Sequence, residues 1–125
     1  MRPRDFAAYF GQEDITGQGR VITEMIARHA PFSMILWGEP GCGKTTLAGL
    51  IAENLAIESH FLSAVSCGVA DVREVIKRGK ANRESGKQTI LFLDEIHRFN
   101  KAQQDSILSA VESGDIILIG ATTEN

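Results

Sequence analysis

The chain has 125 residues, the size of one ordinary domain, and we predict a single domain over residues 1–125. Hydrophobic residues make up 43% of the sequence and charged residues 23%, which is typical of globular proteins and argues against disordered, collagen-like and disulfide-scaffold classes. The net charge of -3 gives no overall attraction to nucleic acid or anionic lipid, so such a contact requires a local patch.

The first half of the chain predicts a helix and then the order strand, helix, strand. The first helix ends before Pro31, and the apolar run over residues 33–37 predicts a buried strand that ends at Gly38. A second helix begins at Lys44, and residues 60–65 predict a second strand. The residues that mark the apolar faces of the two helices are Val21, Ile22, Met25 and Ile26 in the first and Leu47, Leu50, Ile51 and Leu55 in the second.

The second half predicts two more helices and two more strands. A third helix contains Val69, Val72, Val75 and Ile76, and the polar residues 79–88 after it predict a surface loop. Residues 89–93 predict a strand, Asn100 and Gln103 resemble a capping box that opens a fourth helix with Ile107, Leu108 and Val111 inward, and residues 116–121 predict the last strand. Strands separated by helices indicate an α/β fold with a mostly parallel sheet.

The strongest motif lies between the first predicted strand and the second predicted helix. Residues 38–45 read Gly-Glu-Pro-Gly-Cys-Gly-Lys-Thr, a full match to the phosphate loop G-x-x-x-x-G-K-[ST], or Walker A. The glycines let backbone N–H groups converge on an anion, Lys44 is predicted to reach the β- and γ-phosphates of ATP, and the Thr45 hydroxyl to bind Mg²⁺. The predicted nucleotide-binding residues of this loop are Gly38, Glu39, Pro40, Gly41, Cys42, Gly43, Lys44, Thr45 and Thr46.

Two carboxylates follow the third predicted strand, a pattern typical of Walker B. Asp94 is predicted to hold Mg²⁺ directly or through water, and Glu95 to polarise the water that attacks the γ-phosphate. A solvated loop start is the alternative for two acids in this place. Asn125, which follows the last strand, is predicted to hold the attacking water or a γ-phosphate oxygen; the alternative is a frayed chain end.

Together these motifs strongly resemble an AAA+ ATPase of the clamp-loader-like group. Within it the chain is similar to the replication-associated recombination protein A (MgsA) family, which is related to eukaryotic Werner helicase-interacting ATPases. The phosphate loop alone is generic, whereas residues 94–105 and the ending Gly-Ala-Thr-Thr-Glu-Asn are specific. Met1-Arg2-Pro3, Gly11-Gln12 and residues 33–38 add to a resemblance that covers all 125 residues.

The resemblance implies a P-loop AAA+ three-layer sandwich that hydrolyses ATP to ADP. It also implies a homo-oligomeric motor at stalled replication forks and single-strand/double-strand DNA junctions, with single-strand-binding protein as a partner. Asn125 would be sensor 1, and adenine would lie near Phe10, Gly11 and Ile15, although Phe10 and Ile15 equally suit a core. Family members continue beyond this length, so the chain looks like an N-terminal fragment that stops before the fifth strand, arginine finger and lid, with residues 34–37 as an exposed sheet edge.

Further expectations concern the cellular compartment, alternative functions and the activity of the isolated chain. Two cysteines are too few for a disulfide framework, and no apolar run reaches membrane-spanning length, so we expect a cytoplasmic protein without membrane contact. The resemblance to a DNA-maintenance family implies that this protein is nucleoid-associated. A nucleotide-gated binding subunit without turnover is one alternative, and a DExH-type helicase, suggested by residues 94–97, is another. The isolated chain is expected to be nearly inactive, because a missing arginine finger costs roughly 10³ to 10⁵ in rate.

Two sets of polar residues have plainer interpretations. His97 lacks a ligand-spaced partner, so a surface or supporting role is favoured over a metal or base role. Six basic residues near the third helix could follow a DNA backbone, but a solvated face with a Glu74–Arg78 pair is favoured. These six are Arg73, Lys77, Arg78, Lys80, Arg83 and Lys87.

Overall fold

The computed structural model describes residues 15–38 and 44–123, with side chains described for 20–38 and 49–123. In chain order the elements are α1 (Ile15–Arg28), β1 (Met34–Trp37), α2 (Lys44–Asn54), β2 (Glu58–Ser63), α3 (Val69–Glu84), β3 (Thr89–Asp94), a 3₁₀ turn (Ile96–Arg98), α4 (Lys101–Glu112) and β4 (Ile117–Thr122). The predicted order of helices and strands is confirmed. None of the described helices has the length and apolar character needed to cross a bilayer.

The four strands form one parallel sheet in the order β1-β4-β3-β2. The α/β class with a parallel sheet is therefore confirmed, and β1 is an edge strand among the described residues, as the resemblance implied. Parallel order brings the carboxyl ends of all four strands to the same edge of the sheet. That edge is where ligands of open α/β sheets bind.

Each face of the sheet carries its own apolar cluster. Ile90 and Phe92 of β3 pack with α1 and α2, whereas Leu91 and Leu93 pack with α3 and α4. A strand covered by helices on both faces is apolar at successive positions, which explains why β3 reads as a continuous hydrophobic run. The result is a three-layer arrangement of helices, sheet and helices.

The ends of two helices follow their sequence signals. After α1, His29 adopts a left-handed conformation, and the amides of His29 and Ala30 donate to the carbonyls of Ile26 and Met25, which closes the helix before Pro31. At the start of α4 the capping box is confirmed, because the Asn100 side chain accepts from the Gln103 amide at 2.8 Å and the Gln103 side chain accepts from the Asn100 amide at 2.9 Å.

Two predictions about the α2–β2 region need correction. Ile51 and Leu55 are buried against the sheet as predicted, but Leu50 is exposed, since one helical position turns the side chain about 100° away from that face. β2 covers Glu58–Ser63 rather than residues 60–65, and Val65 is exposed beyond its end.

The loop predicted over residues 79–88 is wrong for its first part, because α3 continues to Glu84. Glycine at position 79 lets α3 pack directly against the main chain before β4, because a Cβ at this position would overlap the Asp115 carbonyl oxygen. Beyond it, Asn82 donates to the Thr89 hydroxyl at 2.8 Å, and Arg83 pairs with Asp115 at 3.2 Å. Contacts with distant residues therefore stabilise a segment whose own sequence is polar.

The Glu74–Arg78 pair is also wrong, because Arg78 pairs with Glu58 at the start of β2. The Arg78 Nε and Nη2 groups donate to the two carboxylate oxygens of Glu58 at 2.9 and 3.3 Å, and His60 Nε2 lies 2.7 Å from Oε2. The Arg78 guanidinium first, and His60 next, lower the pKa of Glu58 from 4.5 to about 2. The bidentate Arg78–Glu58 pair, which joins α3 to β2, is stronger than a Glu74–Arg78 pair on one exposed helix face would be.

Candidate functional site

The carboxyl edge of the sheet brings the start of the phosphate-loop motif close to Asp94 and Glu95, the two acids predicted as Walker B. Gly38 follows β1, and its amide donates to the Thr122 carbonyl at the end of β4 at 3.2 Å. Asp94 ends β3, which is the other neighbour of β4, and the Asp94 carbonyl accepts from the Ala64 amide after β2 at 2.9 Å. Only β4 therefore separates Gly38 from Asp94 along the edge.

The two acids at the end of β3 differ in exposure and in backbone setting. The Asp94 side chain is exposed, and its Oδ1 accepts from the Glu95 amide at 2.9 Å. Glu95 has a left-handed backbone, with φ of 56° and ψ of 44°, and starts the 3₁₀ turn. A non-glycine residue in this conformation costs on the order of 1–2 kcal/mol, and such residues cluster at functional sites.

A close contact between β4 and the 3₁₀ turn places the residues that follow Glu95. Ile96 is buried in the cluster between the sheet, α3 and α4. A Cβ at Gly120 would lie 3.0 Å from Ile96 Cγ2 and 2.8 Å from Ile35 Cδ1, so β4 needs glycine here for the turn to approach. This packing fixes the backbone on which Glu95 and His97 are carried.

His97 lies between Glu95 and Thr122. Its Nδ1 is 3.0 Å from the Thr122 hydroxyl oxygen and its Nε2 is 3.6 Å from Glu95 Oε2, with 16% of the side chain exposed. No cluster of three or more His, Cys, Asp or Glu side chains that would hold a metal occurs in the described ranges. Thr122 was not among the predicted site residues, although a polar residue that ends an apolar strand beside the phosphate-loop strand is a usable signal.

A cavity of about 370 Å³ opens at the carboxyl ends of the strands, beside Asp94. It is lined at the strand ends by Ser63, Asp94 and Ala121 and more deeply by Leu36 and Phe92. Phe61 also lines it, is 57% exposed and stacks on Phe92 with ring centroids 4.6 Å apart. The volume falls within the range of small-molecule sites.

Asp94 and Glu95 supply the chemistry that the described part of the site offers. A carboxylate oxygen at the rim of a cavity suits a hard cation such as Mg²⁺, and a second carboxylate beside it can accept a proton from water. Gly38, Asp94 and Glu95 are the predicted site residues that the structure brings to one edge.

The other predicted site residues lie wholly or partly outside the described residues. Lys44, Thr45 and Thr46 begin α2 and Ile15 begins α1, but their side chains are outside the described part. The remaining predicted residues are outside it entirely: Phe10, Gly11, Glu39, Pro40, Gly41, Cys42, Gly43 and Asn125. Their roles stay predictions.

Comparison with known proteins identifies similar sequences over the whole chain. Residues 1–124 match the protein-family model of the Holliday junction DNA helicase RuvB P-loop domain. Replication-associated recombination protein A of Haemophilus influenzae is 50% identical over all 125 residues, and ATPase WRNIP1 of Dictyostelium discoideum is 49% identical over the same residues. The chain spans 28% of the length of the first relative and 14% of the second.

Solved structures are similar as well. The Thermotoga maritima RuvB Holliday junction branch migration motor matches with a TM-score of 0.66 and 32% sequence identity. The match covers 98% of this chain and 42% of that chain. The parallel sheet and these matches together confirm the predicted α/β P-loop fold.

Proposed function

The chain belongs to the family of the Holliday junction DNA helicase RuvB P-loop domain, and from that premise we propose that it is the nucleotide-binding and ATP-hydrolysing core of an AAA+ ATPase. The observation that supports this most strongly is the meeting of Gly38, Asp94 and Glu95 at one edge of the sheet. A phosphate-loop motif and two strand-end carboxylates at one edge are the parts that phosphoryl transfer requires. We propose further that residues 1–125 form one partial AAA+ domain.

Each site residue has a proposed role. Backbone amides of residues 38–46 cradle the phosphates of ATP or ADP, and Lys44 contacts the β- and γ-phosphates. Thr45 and Asp94 hold Mg²⁺, which neutralises charge on the phosphate oxygens when bound. Glu95 accepts the proton of the attacking water, and Asn125 orients that water or a γ-phosphate oxygen.

The adenine base has a less constrained proposed position. Phe10, Gly11 and Ile15 precede or begin α1, which packs with α2 on the sheet face that contains Leu36. The family resemblance favours this region for the base. An apolar and aromatic residue can contact the flat faces of adenine, and glycine lets the backbone approach closely.

The wider role follows from the relatives. Their names refer to replication-associated recombination and to branch migration of Holliday junctions. We propose that the longer protein to which such a domain belongs acts in DNA replication and recombination, as a cytoplasmic, nucleoid-associated homo-oligomer at stalled forks. Its partners would be single-strand/double-strand DNA junctions and single-strand-binding protein.

Titration of the chain with a fluorescent ATP analogue, with and without Mg²⁺, tests the site assignment. Lys44→Ala removes a charge-assisted contact with the phosphates and should weaken binding about tenfold or more. Lys80→Ala is a matched control, because Lys80 is exposed in the part of α3 that lies near the amino ends of the strands, opposite the candidate site, and should leave the affinity unchanged. Equal affinities of the Lys44→Ala variant and the wild type would contradict the proposal.

The same titration tests the metal role of Asp94, and a hydrolysis assay of the assembled protein tests turnover. Asp94→Asn should weaken the dependence of binding on Mg²⁺, since an amide is a poorer ligand for this ion than a carboxylate. Tight Mg²⁺-dependent binding without any hydrolysis in the assembled protein would instead support a nucleotide-gated binding subunit.

A further inference from the structure

Thr122 joins the start of the phosphate-loop motif to the residues around Glu95. Its main-chain carbonyl accepts from the Gly38 amide at 3.2 Å, and its hydroxyl oxygen lies 3.0 Å from His97 Nδ1. Only 3% of Thr122 is exposed. Thr122 is therefore a buried residue that contacts both Gly38, through its main chain, and the His97 ring, through its side chain.

The other nitrogen of the His97 ring faces Glu95. Nε2 lies 3.6 Å from Glu95 Oε2, which is longer than a hydrogen bond but within the range of pairs that shorten when a catalytic site is assembled. An ionised carboxylate only accepts hydrogen bonds, so a hydrogen bond from His97 to Glu95 requires the proton on Nε2. In a neutral ring Nδ1 is then an acceptor, and the Thr122 hydroxyl is the donor that it meets.

We propose that His97 is a positioning residue for Glu95. The Thr122 hydroxyl fixes the imidazole ring, and the ring's Nε2–H holds the Glu95 carboxylate in the direction from which it activates water. This inference rests on the proposed function, because it assigns a role to a residue that acts through the base of the hydrolysis reaction.

Two substitutions of Thr122 separate this role from packing. Thr122→Val keeps the shape of the buried side chain and removes the hydroxyl, whereas Thr122→Ser keeps the hydroxyl and removes a methyl group. If Thr122 only fills space, Ser is the worse variant; if its hydroxyl orients His97, Val is the worse variant. Thr89→Val is a matched control, because Thr89 is equally buried but contacts Asn82 at the opposite end of β3.

The ring nitrogens of His97 give a spectroscopic test in the nucleotide-free chain. ¹⁵N NMR should show a single tautomer with the proton on Nε2 in the wild type and in Thr122→Ser and Thr89→Val, and a mixture of tautomers in Thr122→Val. His97→Gln identifies the signals among the three histidines. An unchanged His97 spectrum in Thr122→Val, or a mixture in Thr122→Ser as well, would overturn the proposal.

Single-turnover hydrolysis by the longer, assembled protein gives the functional test, because the chain alone is expected to be nearly inactive. Thr122→Val should slow hydrolysis about tenfold, as expected for the loss of one hydrogen bond to a catalytic group, with the ATP dissociation constant within twofold of wild type. Thr122→Ser should retain the wild-type rate. Equal losses of rate and affinity, or no loss at all, would count against His97 as a positioning residue. Failure of the wild-type chain to bind ATP would refute the proposed function instead, while the tautomer measurement would still decide the arrangement of His97.

Discussion

The two ends of the sheet carry polar residues that are paired in different ways. At the amino ends of the strands, Glu58, Thr89 and Asp115 each meet a side chain of α3. These partners are Arg78, Asn82 and Arg83. At the carboxyl ends, Asp94 and Glu95 have no lysine or arginine partner among the side chains that the structure describes.

This difference separates residues that support folding from residues that we propose bind a ligand. The amino-end acids are balanced by cations of the same chain, so their contacts exist in every folded molecule. Asp94 lines a cavity, and we propose that a cation such as Mg²⁺ balances the carboxyl-end acids. Substitutions at the amino end should therefore change stability, and substitutions at the carboxyl end should change chemistry.

The largest expected effect is at Glu95. In the longer, assembled protein, Glu95→Gln should lower the single-turnover rate of ATP hydrolysis by at least about 100-fold, because general-base catalysis contributes roughly 10²–10⁴. The melting temperature should change little. Glu58→Gln at the opposite end is the matched control, and it should lower the melting temperature while the rate per folded molecule stays constant. A loss of both rate and stability in both variants would erase the distinction between the two ends.

The next effect is at Gly79, where α3 approaches the amino end of the sheet. Gly79→Ala should lower the free energy of unfolding in urea by about 3 kcal/mol, because the added Cβ overlaps the main chain of Asp115, which cannot move away as a side chain would. Gly49→Ala in α2 meets nothing within 4 Å, so it should raise the same quantity by about 0.5–1 kcal/mol. Similar effects of both substitutions would show that the α3 contact is looser than described.

A smaller effect is expected at Thr89. Thr89→Val should lower the free energy of unfolding by about 1 kcal/mol, since it removes the acceptor of the Asn82 amide in a half-buried place. A double-mutant cycle with Asn82→Ala measures the pair itself. Additive effects of the two substitutions would mean that the hydrogen bond contributes nothing to stability.

The smallest effect is the pH dependence from Glu58. Its pKa is lowered from 4.5 to about 2 in the folded chain, so its stabilising contribution is complete above about pH 4.5 and is lost as the pH falls towards 2. The difference in melting temperature between the wild type and Glu58→Gln should therefore shrink as the pH falls below about 4.5. A difference that grows in acid would reverse the sign of this prediction. The effect is small because the Arg78 side chain is well exposed.

The sequence predicted those parts of the fold that depend on neighbouring residues. The apolar runs predict the bounds of β1, β3 and β4 to within one residue, and the capping box predicts the start of α4. The last turns of α3 were missed because Gly79 and the polar residues after it are typical of a loop, and the contacts that make them helical come from Asp115 and Thr89. Arg78 pairs with a residue 20 positions away, which helix periodicity does not indicate.

The candidate site shows the same division. Asp94 and Glu95 were predicted because two acids directly after an apolar strand are a local pattern. The contact between His97 and Thr122 joins residues 25 positions apart, and it depends on the register between β3 and β4 and on Gly120 beneath the 3₁₀ turn. A pattern of neighbouring residues in the sequence indicates neither the strand register nor the close approach at Gly120.

The left-handed backbone of Glu95 also affects how variants of this chain would emerge from directed evolution. Glycine accepts that conformation without a steric cost, so a screen for heat resistance alone would favour glycine at position 95. Such a screen would enrich more stable variants that lack Glu95, the proposed catalytic base. Thermostable libraries of this domain should therefore be built with codon 95 held fixed.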